Sequence, residues 1–498
     1  MRISFRLFPV QAVFLLLTAL LVCSCNVPEP VPAATNTPDW TATPIPPTNT
    51  PTPRPTATAT PIPEYLTIKS EDLAGTKLIL RSSLNGAEQK ELEELVNLFN
   101  KENEEGITVQ LNHAASLDEL SSITSAQSRD KTDLVIADSA WLRRQNEYGK
   151  PFMELSPFMN AQDLALEGEN IEPLMDVMLK TENQNGNYYA LPLWAEPAFL
   201  FYNKTWAIEL GYEEAPSDLA AFAEQACAAG KANYTDKDNS KYGTGGWIVS
   251  SAPEDVLSWL LIFTQNEETP GELIQSAEGD VFIDTASWLR NLFDNGCAWN
   301  SRVREPYDYF ANRFALFYSG TYADAKRQYS AFEQSDSHGF DNWELIVYPT
   351  RESGGKKNPR IYADTTSVAV LQSEDAKKVN AAWRFIRWIY RDEHAAELAL
   401  SAEGWPVQDN DEITKLYRKS GKDKLYQTLS YRQYLVNNNA DENWLTDQMI
   451  LADGFNYVFN PSAKPEDIAG IWEQIGTIIA EINEVNNLET KTAVEKQE

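Results

Sequence analysis

Short apolar runs alternate with stretches of helical spacing in the first part of the globular chain. KLILRS (77–82), ITVQL (107–111) and DLVIAD (133–138) are continuous apolar runs with many β-branched residues, which predicts buried strands. Residues 87–104 and 116–129 place apolar side chains at intervals of three and four, which predicts amphipathic helices. Strands that alternate with helices form parallel sheets with right-handed crossovers, so this region is predicted to be an open α/β sheet.

The same order of elements returns later in the chain. RFALFYSG (313–320) predicts a strand that ends at Tyr318, followed by a Ser-Gly turn and a helix that begins near Thr321. WELIVYP (343–349) predicts the next strand, and residues 412–482 are predicted to be mainly helical. The chain therefore contains a second predicted α/β unit and then a helical region.

The segment YYALPLWAEPAFLFYNKTW (188–206) is dense in aromatic residues. Phe199 to Tyr202 are apolar on both faces, which predicts a buried strand. Trp194 and Glu196 precede it on a predicted turn flanked by prolines. Two interpretations stay open at this point, an ordinary core segment or one wall of a binding cleft. Farther on, Ser217 is predicted to cap a helix that ends before Gly230.

Other aromatic residues lie on predicted turns at the carboxyl ends of strands, where open α/β sheets bind ligands. Trp141 follows the third strand, although it could instead pack on the first turn of the next helix. Tyr318 and Tyr322 flank the Ser-Gly turn, and Trp405 lies between a glycine and a proline. A sugar packs its C–H face on such rings while its hydroxyls reach polar groups. The predicted carbohydrate-binding residues are Trp141, Trp194, Tyr318, Tyr322 and Trp405, with Asn85, Glu196 and Asp364 as polar partners.

The chain has little of the pattern expected of an enzyme. Its three histidines, His113, His338 and His394, are far apart and lack the spacing of metal ligands. The sequence has no nucleophile elbow, phosphate-binding loop or dinucleotide fingerprint. We therefore predict no catalytic residue, no metal and no cofactor. The formal net charge of −31 repels phosphate backbones, which argues against a nucleic-acid partner.

The N-terminus has the features of an export signal. Arg2 and Arg6 precede an apolar run, residues 10–22, that is too short for a comfortable membrane span. The following VCSC resembles the lipobox of bacterial lipoproteins, which implies that residues 1–24 are removed and Cys25 is lipidated. The protein would then be anchored to the outer face of the cell membrane. The alternative is an ordinary secreted protein.

Residues 25–64 are predicted to form a stalk between the lipid and the globular part. Residues 27–64 contain twelve prolines and ten threonines, which disfavour helix and leave few bulky side chains to pack. A polyproline-II-like stalk of this length reaches roughly 100 Å when fully extended. In the globular part, Cys227 and Cys297 are the remaining cysteines, and an oxidising compartment favours a disulfide between them over two free thiols.

Four stretches resemble the extracellular solute-binding proteins of bacterial sugar ABC importers, the maltose-binding-like family 1. They are ALPLWAEPAFLFYNKTWAIELG (190–211), RFALFYSGTYADAKR (313–327), YADTTSVAVLQ (362–372) and AAWRFIRWIYRDEHAAELALSAEGWPVQ (381–408). The resemblance covers nearly all of the globular chain, from about residue 76 to residue 483. It implies a two-lobed α/β fold of the type II periplasmic-binding-protein kind, in which the chain crosses between lobes three times.

The resemblance also implies domain boundaries and site residues. Lobe 1 would comprise 76–196 and 363–408, lobe 2 would comprise 197–362 and 409–483, and 484–498 would be a charged tail. Trp194 and Glu196 would face the ligand, whereas Phe199, Phe201 and Tyr202 would be core. The expected partners are a carbohydrate ligand and the transmembrane subunits of an ABC permease, and we expect a monomer.

Two other functions are compatible with the sequence. A membrane-tethered glycan-active enzyme would cleave its ligand, and a surface adhesin or sensory ligand-presenting protein would share the fold and the anchor without an importer. Within binding proteins, a sugar-phosphate, a polyamine or a peptide is also a candidate ligand. The acidic side chains of Glu196 and Asp364 leave a cationic or amino-sugar ligand open.

Overall fold

The structure, a computed structural model, describes residues 62–495 apart from 125–131, 150, 162, 167–172, 185, 265–278, 302–304, 352–358, 392–393, 409 and 437–443. The predicted signal sequence, Cys25 and nearly all of the stalk lie outside the described residues. In chain order, the strands are β1 (Lys77–Ser82), β2 (Thr108–His113), β3 (Leu134–Asp138), β4 (Asn183–Gln184), β5 (Asn187–Tyr188), β6 (Ala190–Asn203), β7 (Trp247–Ile248), β8 (Ala298–Trp299), β9 (Phe317–Thr321), β10 (Trp343–Ile346), β11 (Ala363–Val370) and β12 (Trp405–Pro406).

The helices occupy most of the remaining described chain. They are α1 (Gly86–Glu102), α2 (Leu117–Thr124), α3 (Ser139–Gly149), α4 (Ser156–Met159), α5 (Pro173–Thr181), α6 (Lys204–Glu209), α7 (Leu219–Thr235), α8 (Pro253–Phe263), α9 (Gly279–Asp294), α10 (Tyr307–Ala311), α11 (Ala325–Gln334), α12 (Ala376–Tyr390), α13 (His394–Ser401), α14 (Asp411–Lys419), α15 (Asp423–Thr428), α16 (Trp444–Val458) and α17 (Pro465–Glu495).

Two sheets share the long strand β6. The first runs in the order β2-β1-β3-β11-β6, with β12 on the far side of β6. The second runs in the order β10-β6-β9-β7-β8. We call the first sheet with its helices lobe 1 and the second sheet with its helices lobe 2. Strands β1, β2 and β3 are parallel, as the sequence predicts, whereas β11 enters antiparallel between β3 and β6.

Strand β6 passes from one sheet to the other without a break. Residues up to Pro197 pair with β11, and from Ala198 onward the partners are β9 and β10. Trp194 and Glu196 therefore lie within a strand, and the predicted turn at this position is wrong. The turn predicted around Trp405 is also a strand, because β12 pairs with β6 at Ala195 and Trp194.

The two prolines that suggested a turn lie where the β6 ladder is irregular. Pro192 is paired with Ser367, next to the point where the register shifts between Thr366 and Ser367. Pro197 is the last residue before β6 changes partners. A proline cannot donate a ladder hydrogen bond and is tolerated at such irregularities.

Strand β9 and helix α7 both extend past their predicted ends. Ser319 and Gly320 continue the β9 ladder, and the turn begins only with the 3-10 segment Tyr322–Asp324. Helix α7 is capped by Asp218 rather than Ser217 and continues through Gly230. A Cβ at Gly230 would collide with the carbonyl of Gly296, so this glycine allows close packing rather than ending the helix. The neighbouring Cys227 and Cys297 are joined by a disulfide.

Two large apolar cores fill the structure. One packs the first sheet against α1, α12 and α13 and continues along β6 to Phe201 and Tyr318. The other packs the second sheet against α7, α8, α9, α16 and α17. Because the first core runs across the shared strand, the described residues of both lobes form one compact unit.

Helix α17 is longer than the sequence predicts. It buries Ile468, Trp472 and Ile479 against lobe 2 and then continues to Glu495. Residues 484–495, predicted as a frayed charged tail, are therefore helical. Among the described helices, none is long and apolar enough to cross a membrane.

Candidate functional site

The candidate site lies where β6 passes between the lobes. Asp364 of β11 pairs directly with Glu196 of β6 in the antiparallel ladder, so the two side chains leave the same face of the sheet. Asp138, the last residue of β3, pairs with Thr366, two residues from Asp364, and thus lies on that face too. All three carboxylates are partly buried.

Lobe 2 adds two carboxylates next to this face. Glu254 is in the first turn of α8, which follows the carboxyl end of β7, and its charge acts on Glu196 and Asp364. Asp324 follows the carboxyl end of β9 and acts in turn on Glu254. Parallel strands place their carboxyl ends at one edge of a sheet, which explains why these residues meet. We call Asp138, Glu196, Glu254, Asp324 and Asp364 the interlobe carboxylates.

Glu196 is held by the indole of Trp194. The Nε1–H of Trp194 donates to Oε1 of Glu196 over 2.9 Å. Burial raises the pKa of Glu196, the hydrogen bond from Trp194 opposes this rise, and the charge of Asp138 adds to it. Trp194 itself is only 1% exposed, so its ring fixes the carboxylate from within the core.

Asp364 is held from lobe 2. The hydroxyl of Tyr362 donates to Oδ1 of Asp364 over 2.5 Å, and Nε2 of Gln448 donates to the Tyr362 hydroxyl over 3.0 Å. Burial raises the pKa of Asp364 well above its usual range, and the charge of Asp138 adds to the rise. Two hydrogen bonds therefore connect Gln448 of helix α16 to Asp364, beside the point where β6 passes between the lobes.

Asp138 caps the helix that follows it. Its Oδ1 accepts the backbone N–H of Trp141 over 2.9 Å. Burial raises the pKa of Asp138 to about 6, the backbone hydrogen bond from Trp141 opposes the rise, and the charge of Glu182 adds to it. The Oε1 atom of Glu182 accepts hydrogen bonds from the hydroxyls of Ser139 and Ser367.

The structure buries all five aromatic residues that the sequence places in the ligand site. Their exposed fractions are 4% for Trp141, 1% for Trp194, 1% for Tyr318, 5% for Tyr322 and 0% for Trp405. The indole N–H of Trp141 donates to Ser121, and that of Trp405 donates to Thr428. In this structure the rings are therefore packing residues without a free face. Trp141 and Trp405, which were expected to be ligand platforms, are core residues here.

Asn85 remains at the surface. It forms a capping box with Glu88 at the start of α1, in which the Asn85 backbone N–H donates to Glu88 over 3.1 Å. Its side-chain amide donates to the carbonyl of Ser83. Asn85 is exposed, and the charge of Glu88 acts on Glu196, so the capping box lies beside the interlobe carboxylates.

The sequence interpretation missed Asp138, Glu254 and Asp324. Asp138 was predicted only as the end of a strand and Asp324 as part of a helix, and no element was predicted at Glu254. Glu254 lies farther along from its strand, in the first turn of α8, whereas Asp138 and Asp324 are acidic residues at or shortly after the carboxyl end of a strand. That position was the available signal, because such residues converge at one sheet edge.

One other feature of the structure lies apart from this site. A cavity of about 340 Å³ opens on lobe 1 between the end of α1 and α12, with Phe99 and Trp388 in its wall. Its charged wall includes the ion pair of Arg384 with Glu105. Within the described residues, no group of three or more His, Cys, Asp or Glu side chains is arranged to hold a metal ion.

A family model for bacterial extracellular solute-binding proteins matches residues 94–414, well over half of the chain. The chain belongs to this family. Solved structures of sugar-binding proteins share its two-lobed fold. The sugar-binding protein MalE of Xanthomonas citri superposes with a TM-score of 0.64 at 16% identity, and covers 83% of this chain and 99% of MalE.

Two further structures extend the comparison of this solute-binding protein. The cyclic alpha-maltosyl-1,6-maltose binding protein of Arthrobacter globiformis gives a TM-score of 0.63 at 13% identity, over 81% of this chain and 99% of that one. The GacH receptor of Streptomyces glaucescens, solved unliganded and with acarbose, gives a TM-score of 0.59 at 13% identity, over 82% of this chain and 98% of that one. No curated protein matches the chain. Identities this low show a shared fold.

Proposed function

We propose that the chain is the substrate-binding lipoprotein of an ABC-type importer. It captures a sugar or oligosaccharide between its two lobes and delivers it to the transmembrane subunits of a permease. The lipid on Cys25 and the Pro/Thr-rich stalk keep it at the outer face of the cell membrane. Membership of the solute-binding family and the sugar-binding structural neighbours support this proposal.

One observation carries the assignment of the site to the interlobe region. A single strand, β6, completes both sheets, and polar side chains from both lobes meet beside it. Rotation about such a strand opens or closes the space between the sheets while each sheet keeps its own hydrogen bonds. Hinge closure of this kind encloses a ligand when the ligand binds the closed form better than the open form.

Within that site, we assign direct ligand contact to Asn85, Glu196 and Asp364. Trp194 positions Glu196 through its indole hydrogen bond, and Tyr322 lies in the turn that leads from β9 into α11. Both rings are buried in the structure, so the polar side chains are the parts of the site that a ligand contacts first. Carboxylate and amide groups bind sugar hydroxyls, and aromatic rings bind the apolar faces of the sugar.

A thermal-shift screen of the full-length chain against mono- and oligosaccharides tests the function. A ligand that binds only the native state raises the melting temperature, and small-angle scattering should show a smaller radius of gyration when that ligand closes the lobes. Glu196→Ala should weaken binding, whereas the same change at Glu71, which is 77% exposed, serves as the matched control. Failure of every saccharide to shift the melting temperature would contradict the sugar assignment.

A further inference from the structure

The interlobe site is rich in hydrogen-bond acceptors and poor in donors. Within the described residues, Glu196 accepts from Trp194, Asp364 accepts from Tyr362, and Glu254 accepts from its own backbone N–H. An ionised carboxylate has room for about four hydrogen bonds, so each of these groups keeps unused acceptor capacity.

The charges that act most strongly on these groups are those of other acids. The leading influences on Asp138, Glu196, Glu254 and Asp364 are burial, hydrogen bonds and neighbouring carboxylates, and each carboxylate raises the pKa of at least one neighbour in the set or has its own pKa raised by one. Asp133, by contrast, is paired with Lys378 at 2.8 Å. Other buried acids accept from hydroxyls, as Glu182 does from Ser139 and Ser367. The interlobe carboxylates are distinguished by acting on one another across the two lobes.

Tyr318 gives an independent observation at the lobe 2 end of the site. It is 1% exposed, yet its hydroxyl has no hydrogen-bond partner among the described residues. The ring is fixed by stacking on Phe201 with centroids 4.2 Å apart and by the edge contact with Phe310 at 5.0 Å. The hydroxyl lies near the Asp324 carboxylate, whose charge acts on it. Buried hydroxyls normally have a partner, so this group is available to a ligand that reaches Asp324.

We propose that the ligand of the interlobe site carries a protonated amino group, which Glu196, Glu254 and Asp364 bind. This inference rests on the proposed function and specifies its ligand class. A protonated primary amine has three donors and no acceptor, which is the complement of a site whose side chains are mainly acceptors. Charge-assisted hydrogen bonds of this kind are shorter and stronger than those made by neutral hydroxyls.

Proton exchange gives the proposal a second readout. Burial raises the pKa of Glu196, Glu254 and Asp364. The titratable groups that face them are Glu88, Asp138, Asp255, Asp324 and Tyr362. A cation therefore competes with protons for these carboxylates. Binding should release protons, and the affinity for an amine that stays protonated, such as spermidine, should increase as pH rises from the acidic range in which these carboxylates hold protons.

Matched ligands test the proposal on the full-length chain. Calorimetry at pH 7.5 compares the glucosamine disaccharide chitobiose with its uncharged relatives, N,N'-diacetylchitobiose and cellobiose, and spermidine provides an amine without a sugar. We expect an amine-bearing ligand to bind at least about tenfold more tightly than its uncharged match. The saccharide and spermidine arms show whether the amine belongs to a sugar.

Glu254→Gln removes one charge at nearly constant shape. It should weaken binding of the amine about tenfold and change binding of cellobiose little. Glu466→Gln is the matched control, since Glu466 is also in the first turn of a helix but is exposed. If Glu254→Gln fails to fold, calorimetry of the unmodified chain in two buffers of different ionisation enthalpy still measures proton release.

The outcomes separate this inference from the proposed function. Equal or tighter binding of the uncharged disaccharides, or no proton release, overturns the inference and leaves a sugar-binding protein. If spermidine is the one ligand that binds, the result supports an amine ligand and contradicts the sugar assignment of the proposed function. A chain that responds to none of these ligands contradicts both proposals.

Discussion

The two halves of β6 differ in aromatic content and in surroundings, because the first half has one aromatic residue and the second has three. The first half, residues 190–197, completes the lobe 1 sheet and carries Glu196 opposite Asp364. The second half, residues 198–203, completes the lobe 2 sheet and carries rings that stack inside the core. The strand that pairs with each half of β6 therefore determines whether an aromatic residue supports a polar side chain of the site or only packs in the core. Trp194, which is bonded to Glu196, is of the first kind.

The largest effect should come from the core half. Phe201 is fully buried between Tyr318, at a centroid distance of 4.2 Å, and Trp343, at 5.2 Å. Phe201→Ala should therefore reduce the free energy of unfolding by about 3–5 kcal/mol, which urea denaturation measures. Phe340→Ala is the control, because Phe340 is fully exposed. Equal losses in the two variants would show that the ring of Phe201 is not a core contact.

A smaller effect is expected at Trp194 in the other half. Trp194→Phe keeps an aromatic ring but removes the Nε1–H that donates to Glu196. Because a partly buried carboxylate then loses a donor, stability should fall by about 1–3 kcal/mol, with weaker ligand binding by calorimetry. Trp259→Phe is the matched control, since Trp259 is equally buried but its Nε1–H has no partner among the described residues. Identical losses of stability in the two variants would show that the hydrogen bond from Trp194 to Glu196 does not stabilise the fold.

The smallest effect concerns pH. The pKa of Asp138 is raised from 3.8 to about 6 in the folded protein, so its contribution to stability is present below about pH 4 and is lost as pH rises through about 6. Asp138→Asn cannot titrate. Relative to the unmodified protein, it should gain roughly 1–2 kcal/mol between pH 4 and pH 7 in urea unfolding. Exposed Asp118→Asn is the control, and parallel pH curves for protein and variant would contradict the assignment.

Local patterns predicted most of the lobe 1 elements. Strands β1, β2 and β3 and helix α1 lie within a few residues of their predicted positions, because continuous apolar runs and helical spacing are properties of short stretches. Asn203 caps α6, with its side chain accepting the N–H of Trp206. The family resemblance and the α/β class were confirmed by the family match and by the structural neighbours.

Features that depend on distant pairing were beyond the local pattern. Trp194 is in a strand rather than a turn because β12, more than two hundred residues later, pairs with it at Pro406. Burial of the turn-like aromatic residues follows from the same long-range contacts. Glu254 could not be recognised without knowing that the carboxyl ends of β7 and β3 approach each other, which only the tertiary structure determines.

The antiparallel position of β11 has a consequence for the order in which the protein is made. Lobe 1 begins at β1, but its sheet contains Ala363–Val370 between β3 and β6. A chain emerging from the ribosome therefore cannot complete its first half until most of the second half has been synthesised. Such late closure keeps the nascent chain unfolded for longer, which suits a polypeptide that must cross a membrane before it folds.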